Sequence, residues 1–254
     1  MRLHRFFDKD LLQGLRYGAL VGAAVLAIVL PWQMVNRLAA LPPPQPAQTP
    51  AQALHRELDF TGEPATPATR RLAQWVVASA DNGSLPFVIL DKKDARVFVF
   101  AAGGRLLGAS PVLLGYAQGD DSVPGIGLRP IDQVRAEERT TPAGRFVAER
   151  GRNTLGEEVI WVDYDAAVSM HRVRLVNPAE RRAERLASPS PADNRISYGC
   201  INLPVAFFEQ VLWPTLRGGG RSVVYVLPEH KALEQVFPAL AAPATAGAVP
   251  AVSG

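Results

Sequence analysis

The sequence contains a single cysteine, Cys200, in 254 residues. One cysteine excludes a disulfide framework within the chain and any multi-cysteine metal site. The four histidines stand far apart, at positions 4, 55, 171 and 230, so they form no HxxxH-type pair. We therefore expect neither a metal nor another cofactor.

A cluster of basic residues is also missing. The formal net charge is only +3 and the charged residues are interspersed along the chain, although the isoelectric point is near 9.2. Nucleic-acid-binding domains need clustered Lys and Arg to displace phosphate counterions. We expect no nucleic-acid partner. Apolar residues make up 48% of the chain, enough for a folded core.

Charge is absent altogether from residues 17–36. As a helix this stretch would span roughly 30 Å, the thickness of the hydrocarbon core of a bilayer. Four basic residues precede it, and only Arg37 follows closely. The positive-inside rule then predicts a cytoplasmic tail (1–16), an inner-membrane anchor (17–36) and a domain in the periplasm or cell envelope. A cleaved signal segment is the alternative, but the nearest small-residue site, at 38–40, is poor.

The remaining chain divides by composition. A Pro-rich linker (37–67) includes LPPPQPAQTPAQA, which favours extended polyproline II. The spacing of Leu72, Trp75 and Val76 predicts a helix within 68–85, leading into the domain. The domain itself is assigned to 86–230, and residues 231–254 form an Ala/Pro-rich tail.

The sequence pattern of residues 86–228 predicts mostly β-strands. The runs PFVILD and ARVFVFA flank Asp91–Asp94, which predicts a hairpin, and Gly103-Gly104 predicts a second turn. FVAER, EVIWVDY, AVSMHRVRL and SVVYVL continue the series, and a helix is predicted after residue 203. The predicted fold class is mainly β, a compact antiparallel sandwich or barrel with a few short helices. The loop 119–142 is long for such a domain.

Cys200 lies directly after Gly199 and just before the predicted helix. Backbone amides at such a turn can converge on an oxyanion, and a nearby helix N-terminus favours thiolate over thiol. The alternative is a small buried hydrophobic residue. However, an unpaired cysteine in an oxidising envelope compartment calls for a reason.

A cysteine nucleophile needs a base close in space. His4 falls on the predicted cytoplasmic side, His55 in the linker, and His230 after the last strand. Only His171 stands on a strand within the predicted core. By elimination His171 is the candidate partner of Cys200, although a structural strand histidine is the alternative.

These residues resemble a known family. Ser197-Tyr198-Gly199-Cys200-Ile201-Asn202 is similar to the Ser/Thr-His-Gly-Cys-hydrophobic-Arg/Asn motif of YkuD-type L,D-transpeptidases, which cross-link peptidoglycan. Thr141-Pro142-Ala143-Gly144-Arg145-Phe146 resembles the Thr-Pro-x-Gly-x-Phe segment of that family, and His171 matches its upstream strand histidine. The likeness extends over roughly residues 86–228 and includes the first hairpin.

The resemblance implies a mechanism. Cys200, deprotonated by His171, attacks the third residue of a peptidoglycan stem tetrapeptide, D-alanine leaves, and an amine of a second stem takes the acyl group. The carbonyl of Arg172 is the candidate that orients the imidazole. The resemblance further gives Ser197 a supporting hydrogen bond and Asn202 the Arg/Asn position. The amides of Tyr198, Gly199 and Cys200 are assigned to the oxyanion hole.

Two departures from the family pattern stand out. Tyr198 replaces the motif histidine, and residues 177–194 lengthen the segment between His171 and Cys200. Asn177, Pro178 and Glu180 predict the start of a short charged helix beside the cleft, either a lid or a solvated surface insertion.

Three alternatives to transpeptidation stay open. The first is an L,D-carboxypeptidase or endopeptidase that uses water on the same fold. The second is a non-catalytic wall-binding module in which Tyr198 marks a decayed site. The third is a structural envelope protein in which Cys200 is merely packed.

Overall fold

Strands dominate the described part of the chain. The computed structural model describes residues 56–241, which belong to one unit of the chain. The strands are β1 (Phe87–Asp91), β2 (Arg96–Phe100), β3 (Leu106–Pro111), β4 (Leu114–Gly115), β5 (Gly144–Arg152), β6 (Glu158–Asp163), β7 (Val168–Arg172), β8 (Arg195–Ser197), β9 (Ile201–Leu203) and β10 (Arg221–Val226). The mainly β prediction is confirmed.

The helices are few and mostly short. The α-helices are α1 (Pro67–Ser79), α2 (Arg182–Ala187), α3 (Val205–Phe207), α4 (Trp213–Thr215) and α5 (Leu233–Val236). A π-helical stretch, Phe208–Leu212, joins α3 to α4, so the helix predicted after residue 203 is present with a wide turn in its middle. The loop 119–142 contains three short 3₁₀ turns, Ile126–Leu128, Ile131–Gln133 and Ala136–Glu138.

Eight strands form one mixed sheet in the order β3-β2-β1-β10-β5-β6-β7-β9. The predicted hairpin is β1–β2, which pair antiparallel. The prediction of a wholly antiparallel arrangement is wrong, because β1 pairs parallel with β10 and β7 pairs parallel with β9. Strand-like runs show where strands form, but the partner of a strand far away in sequence depends on the crossover between them.

The two edges of this sheet approach each other. Leu113, two residues after β3, exchanges two backbone hydrogen bonds of 2.9 Å with Asn202 in β9. The two-residue strand β4 then pairs parallel with β8. The sheet is therefore nearly closed, and its closing edge holds the segment that leads into Cys200.

Alternate residues of the strands pack into two apolar clusters. In β1, Val88 and Leu90 face one cluster, which the Phe208–Leu212 helix also fills. Phe87 and Ile89 face the opposite cluster, which α1 covers. Both faces of β1 are thus buried, and this explains its continuous apolar run.

The first helix, α1, lies almost entirely within the segment 68–85, where a helix was predicted. Thr66 caps it by accepting a hydrogen bond from the Thr69 amide at 3.2 Å, and Pro67 occupies the first turn. The helix ends at Ser79, since Ala80 adopts a left-handed conformation with φ of 57°. Leu72 and Val76 are fully buried on its inner face.

The predicted linker and tail overlap the fold. Phe60 packs edge-on against Phe98 and Phe100, with ring centroids 6.1 and 5.4 Å apart. At the other end Phe237 is buried. Phe60 and Phe237 lie outside the predicted domain boundaries, 86 and 230, yet both belong to the apolar cluster that α1 covers.

Several predictions fall outside residues 56–241. They are the cytoplasmic tail 1–16, the membrane anchor 17–36, most of the linker 37–67, His4, His55, and the end of the tail after 241. Among the residues that are described, no helix has the length and apolar character needed to cross a bilayer.

Candidate active site

Cys200 ends a tight turn between β8 and β9. Ser197 Oγ donates a hydrogen bond to the Cys200 carbonyl at 2.6 Å and accepts one from the Gly199 amide at 3.1 Å. Gly199 has φ of +124°, and a Cβ at this position would lie 2.7 Å from the Thr140 carbonyl oxygen. Only glycine fits both demands, so the Gly-Cys order in the sequence reflects the geometry of the turn.

Two further side chains brace this turn. Thr141 Oγ1 donates to the Gly199 carbonyl at 2.8 Å and accepts from the Gly115 amide at 3.0 Å. Asn202 Nδ2 donates to the Cys200 carbonyl at 3.1 Å. The Thr-Pro-x-Gly-x-Phe segment and the motif around Cys200 are therefore in direct contact.

His171 lies beside the turn because β7 pairs with β9 and places it opposite Asn202. Its Nδ1 donates to the Arg172 carbonyl at 2.8 Å, since a carbonyl can only accept. This hydrogen bond leaves Nε2 available, and the interaction between the imidazole and the Cys200 sulfur shifts the pKa values of both groups. The two predicted residues are thus brought together from positions 29 apart in sequence.

Burial and the interaction between Cys200 and His171 shift the pKa of each group in opposite directions. Burial raises the pKa of the Cys200 thiol, but the His171 hydrogen bond and charge, with bonds from Ser169, bring that pKa below its usual value. Burial likewise lowers the pKa of His171, whereas the Cys200 interaction and the Arg172 carbonyl bring it above its usual value. The interaction therefore shifts both pKa values in the direction of a thiolate–imidazolium pair.

Sequence reasoning missed Ser169. Its Oγ lies 3.7 Å from the Cys200 sulfur, within hydrogen-bonding range for sulfur, and its side chain is buried. The Ala167 carbonyl also lies 3.6 Å from the sulfur. The signal was available: Ser169 is two residues before His171, and residues two apart on a strand share a face.

The Gly199 amide, which was assigned to the oxyanion hole, has another hydrogen-bond partner in the structure. The Gly199 amide donates to Ser197 Oγ, so in this conformation it serves the turn and does not face an incoming oxygen. The amides of Tyr198 and Cys200 remain the candidates. The side chain of Tyr198 is 40% exposed, and the guanidinium of Arg139 lies 3.8 Å from its ring centroid.

The inserted segment reaches the site. Asn177 caps its first turn by accepting from the Ala179 amide at 3.1 Å, as the sequence predicted, and α2 follows. From α2, Arg182 Nη1 donates to Asn202 Oδ1 at 2.5 Å. Since Asn202 holds the Cys200 carbonyl, the insertion is tied to the turn, and this contact counts against a merely solvated surface loop.

The other candidate groups lie elsewhere. The side chain of Arg172 extends away from the imidazole to ion pairs with Glu158 and Glu209. The exposed His230 contributes its amide to Asp120. Within 56–241 no group of three or more His, Cys, Asp or Glu side chains is placed to hold a metal ion.

Comparison with known proteins gives similarity at the level of structure only. No family model matches the sequence, and no curated protein matches it either. Many solved structures similar to this chain are L,D-transpeptidases.

The catalytic domain of an L,D-transpeptidase from E. faecium is 16% identical, over 57% of this chain and 98% of that one, with a TM-score of 0.33. An L,D-transpeptidase from Mycobacterium smegmatis is 16% identical, over 57% and 59%, with a TM-score of 0.34. The helical cell shape determining protein Pgp2 from Campylobacter jejuni is 17% identical, over 65% and 56%, with a TM-score of 0.37. The chain thus spans little more than half the length of the last two proteins.

Proposed function

We propose that this chain is a peptidoglycan L,D-transpeptidase with Cys200 as nucleophile and His171 as general base and acid. The observation that carries the proposal is the strand register of β7 and β9, which places His171 beside the glycine turn of Cys200 with its Nδ1 held by the Arg172 carbonyl. In support, the interaction of the two side chains lowers the thiol pKa and raises the imidazole pKa. A merely packed cysteine would have neither a polarised histidine nor a buried hydroxyl at its sulfur.

The acylation step uses the pair as it stands. The Cys200 thiolate adds to the carbonyl carbon of the third stem residue, and a C–S bond forms as the carbonyl oxygen becomes an oxyanion. The imidazolium of His171 then gives its proton to the amine of the departing D-alanine as the C–N bond breaks. The Arg172 carbonyl keeps Nδ1 protonated throughout, so that Nε2 carries the moving proton.

Deacylation reverses these roles. Neutral His171 takes a proton from an attacking amine of a second stem peptide, and that nitrogen adds to the thioester carbonyl. The C–S bond breaks, and the thiolate returns to its place beside the imidazolium. The product is a cross-link between the third residues of two stems. Water in place of the amine would give a trimmed stem, which is the carboxypeptidase alternative.

The proposal includes a location. The uncharged segment 17–36 with its basic N-terminal flank supports an inner-membrane anchor with the site in the periplasm, where peptidoglycan is found. A test is protease digestion of intact spheroplasts: cleavage of the domain with retention of the 1–16 segment supports it, whereas full protection contradicts it.

The reaction is tested on the full chain in detergent micelles. Incubation with disaccharide tetrapeptide, followed by mass spectrometry, should give cross-linked dimers and free D-alanine. Cys200→Ser and His171→Ala should abolish both products, while Ser222→Ala, a buried serine on β10 remote from the turn, should not. Trimmed stems without dimers would establish the hydrolase instead, and an unreacted tetrapeptide would favour the binding module.

A further inference from the structure

Four arginines lie around the Cys200 turn, and one of them differs in its pairing. Three form ion pairs with glutamates: Arg172 with Glu158 and Glu209, Arg182 with Glu180, and Arg195 with Glu229. Arg139 pairs with none of the carboxylates in the described chain. Among these four, it is therefore the arginine whose charge no carboxylate of residues 56–241 neutralises.

The guanidinium of Arg139 is nevertheless held in place. Its Nε and Nη2 both donate to the Val134 carbonyl, at 3.2 and 3.0 Å. One face lies 3.8 Å from the ring centroid of Tyr198, and the Arg139 carbonyl accepts from the Ala117 amide at 3.1 Å. Two of the five N–H groups of a guanidinium are thus used, and the rest are available to a ligand.

The carboxylate nearest in sequence is already occupied. Glu138 accepts from Arg129 at 3.1 and 3.2 Å and from Arg135 at 3.2 Å, and also from the Arg135 amide at 3.0 Å. Both of its oxygens are engaged, so it is not shared with Arg139. The loop 119–142 therefore neutralises two of its arginines and leaves the third against the Tyr198 ring.

We propose that Arg139, stacked on Tyr198, is a carboxylate-binding subsite beside the nucleophile that holds a carboxylate of the acyl-donor peptide. A planar guanidinium matches the two oxygens of a carboxylate, and stacking on an aromatic ring keeps it oriented. Tyr198 is two residues from Cys200, so the Arg139 guanidinium lies against the same turn as the nucleophile. The assignment of a peptide as ligand rests on the proposed function.

Two carboxylates of such a donor share this chemistry. One is the C-terminal carboxylate of the residue that leaves, and the other is a side-chain carboxylate on the residue whose carbonyl is attacked. The stacking on Arg139 also accounts for tyrosine in place of the motif histidine at position 198. A histidine ring offers a smaller stacking surface and, when protonated, would repel the guanidinium.

The first test needs no turnover. Iodoacetate and iodoacetamide alkylate the same sulfur, but only iodoacetate carries a carboxylate, so the ratio of their rates reports a nearby cation. We expect Arg139→Gln to lower the iodoacetate-to-iodoacetamide ratio about threefold or more at low salt. Arg135→Gln removes an equal charge from the same loop, where Glu137 and Glu138 already pair with it, and should leave the ratio at the wild-type value. An unchanged ratio in Arg139→Gln would overturn the subsite.

The second test identifies the carboxylate. With the free-acid tetrapeptide, Arg139→Gln should raise KM about tenfold, the size expected for one charge-assisted hydrogen bond. Peptides amidated at the C-terminus or at the side chain are then compared, and the one that wild type and Arg139→Gln bind alike has lost the recognised group. If neither amide removes the difference between the two proteins, the subsite is refuted. A lowered alkylation ratio without turnover of any peptide would keep the subsite and refute the proposed function.

Discussion

The thiol of Cys200 experiences two opposing effects on its pKa. Burial favours the neutral thiol, whereas His171 and Ser169 favour the thiolate, and the second effect is the stronger. Reactivity at neutral pH therefore depends on partners that can be removed one at a time.

Removal of the imidazole should reverse the balance. In His171→Ala the pKa of Cys200 should rise above the usual thiol value of about 8.5, because burial remains and the opposite charge is gone. The wild-type protein should alkylate along a pH profile with its midpoint below that value, so the variant needs more alkaline pH. Iodoacetamide labelling across pH, read by mass spectrometry, measures both midpoints. Coinciding midpoints would mean that the two side chains do not interact.

Ser169 should lower the pKa of the Cys200 thiol by less than His171 does. Ser169→Ala removes one hydrogen bond to the thiolate, and we expect the labelling midpoint to rise by up to about one pH unit, since a hydrogen bond to a charged group contributes roughly 1.5 kcal/mol. Ser222→Ala is a matched control, because Ser222 is also buried on a strand but its Oγ has no partner in the described chain. Equal midpoints in the two alanine variants would show that Ser169 only fills space.

The turn between β8 and β9 depends on backbone shape more than on side-chain burial. Gly199→Ala should lower the free energy of unfolding by about 2–4 kcal/mol and slow Cys200 labelling, because the new Cβ meets the Thr140 carbonyl in a strained conformation. Gly156→Ala is the comparison, since Gly156 also has positive φ, +78°, but open space around it. Urea unfolding of both proteins measures the difference. Equal losses would mean that conformation alone, and not the close approach, requires glycine at 199.

The inserted segment acts on the same turn from the other side. Arg182→Ala should leave Asn202 Oδ1 without its donor, loosen the Cys200 carbonyl, and lower kcat about tenfold on the tetrapeptide. Arg181→Ala removes the adjacent exposed arginine, which pairs with Glu184, and should keep the wild-type rate. If wild type, Arg182→Ala and Arg181→Ala turn over the tetrapeptide at equal rates, the insertion is only a surface loop.

Across the whole molecule, one buried charge connects the hairpin to the site. Lys92, in the turn after β1, is fully buried and donates to Asp120 Oδ1 at 2.9 Å and to the Thr141 carbonyl at 2.9 Å. Burial lowers the pKa of Lys92, and Asp120 counteracts this. Because the Thr141 hydroxyl donates a hydrogen bond to the Gly199 carbonyl, Thr141 connects the Lys92–Asp120 ion pair to the Cys200 turn.

Loss of this lysine should affect stability first. Lys92→Met should lower the free energy of unfolding by about 3–5 kcal/mol, since it leaves buried carboxylates without their partner. Lys93→Met, at the exposed neighbouring position, should change it by less than about 0.5 kcal/mol. Urea denaturation gives both values, and a small loss for Lys92→Met would show that water or the remaining Arg195–Glu229 pair satisfies the cluster.

Local sequence patterns were enough to predict several elements of the fold. The first helix, the β1–β2 hairpin and the cap at Asn177 were predictable, because each rests on short-range chemistry. The catalytic pairing of His171 with Cys200 stays a prediction that rests on the elimination of alternatives. The parallel partners of β1 and β7, and the packing of Phe60 and Phe237, were not predictable. They depend on residues far apart in the chain, whose meeting a one-dimensional pattern does not encode.

By itself, then, the sequence determined which atoms were available for chemistry: one sulfur, one strand imidazole, a glycine where the turn needs it, and an uncharged N-terminal segment. Only the tertiary structure decided which groups contact the turn that holds that sulfur. Ser169, Arg139 and Arg182 come from three separate segments, and they converge because the sheet nearly closes and brings β7, β9 and the 119–142 loop to one edge. Side-chain proximity of this kind is a product of strand order and register, which depend on the burial of the whole core.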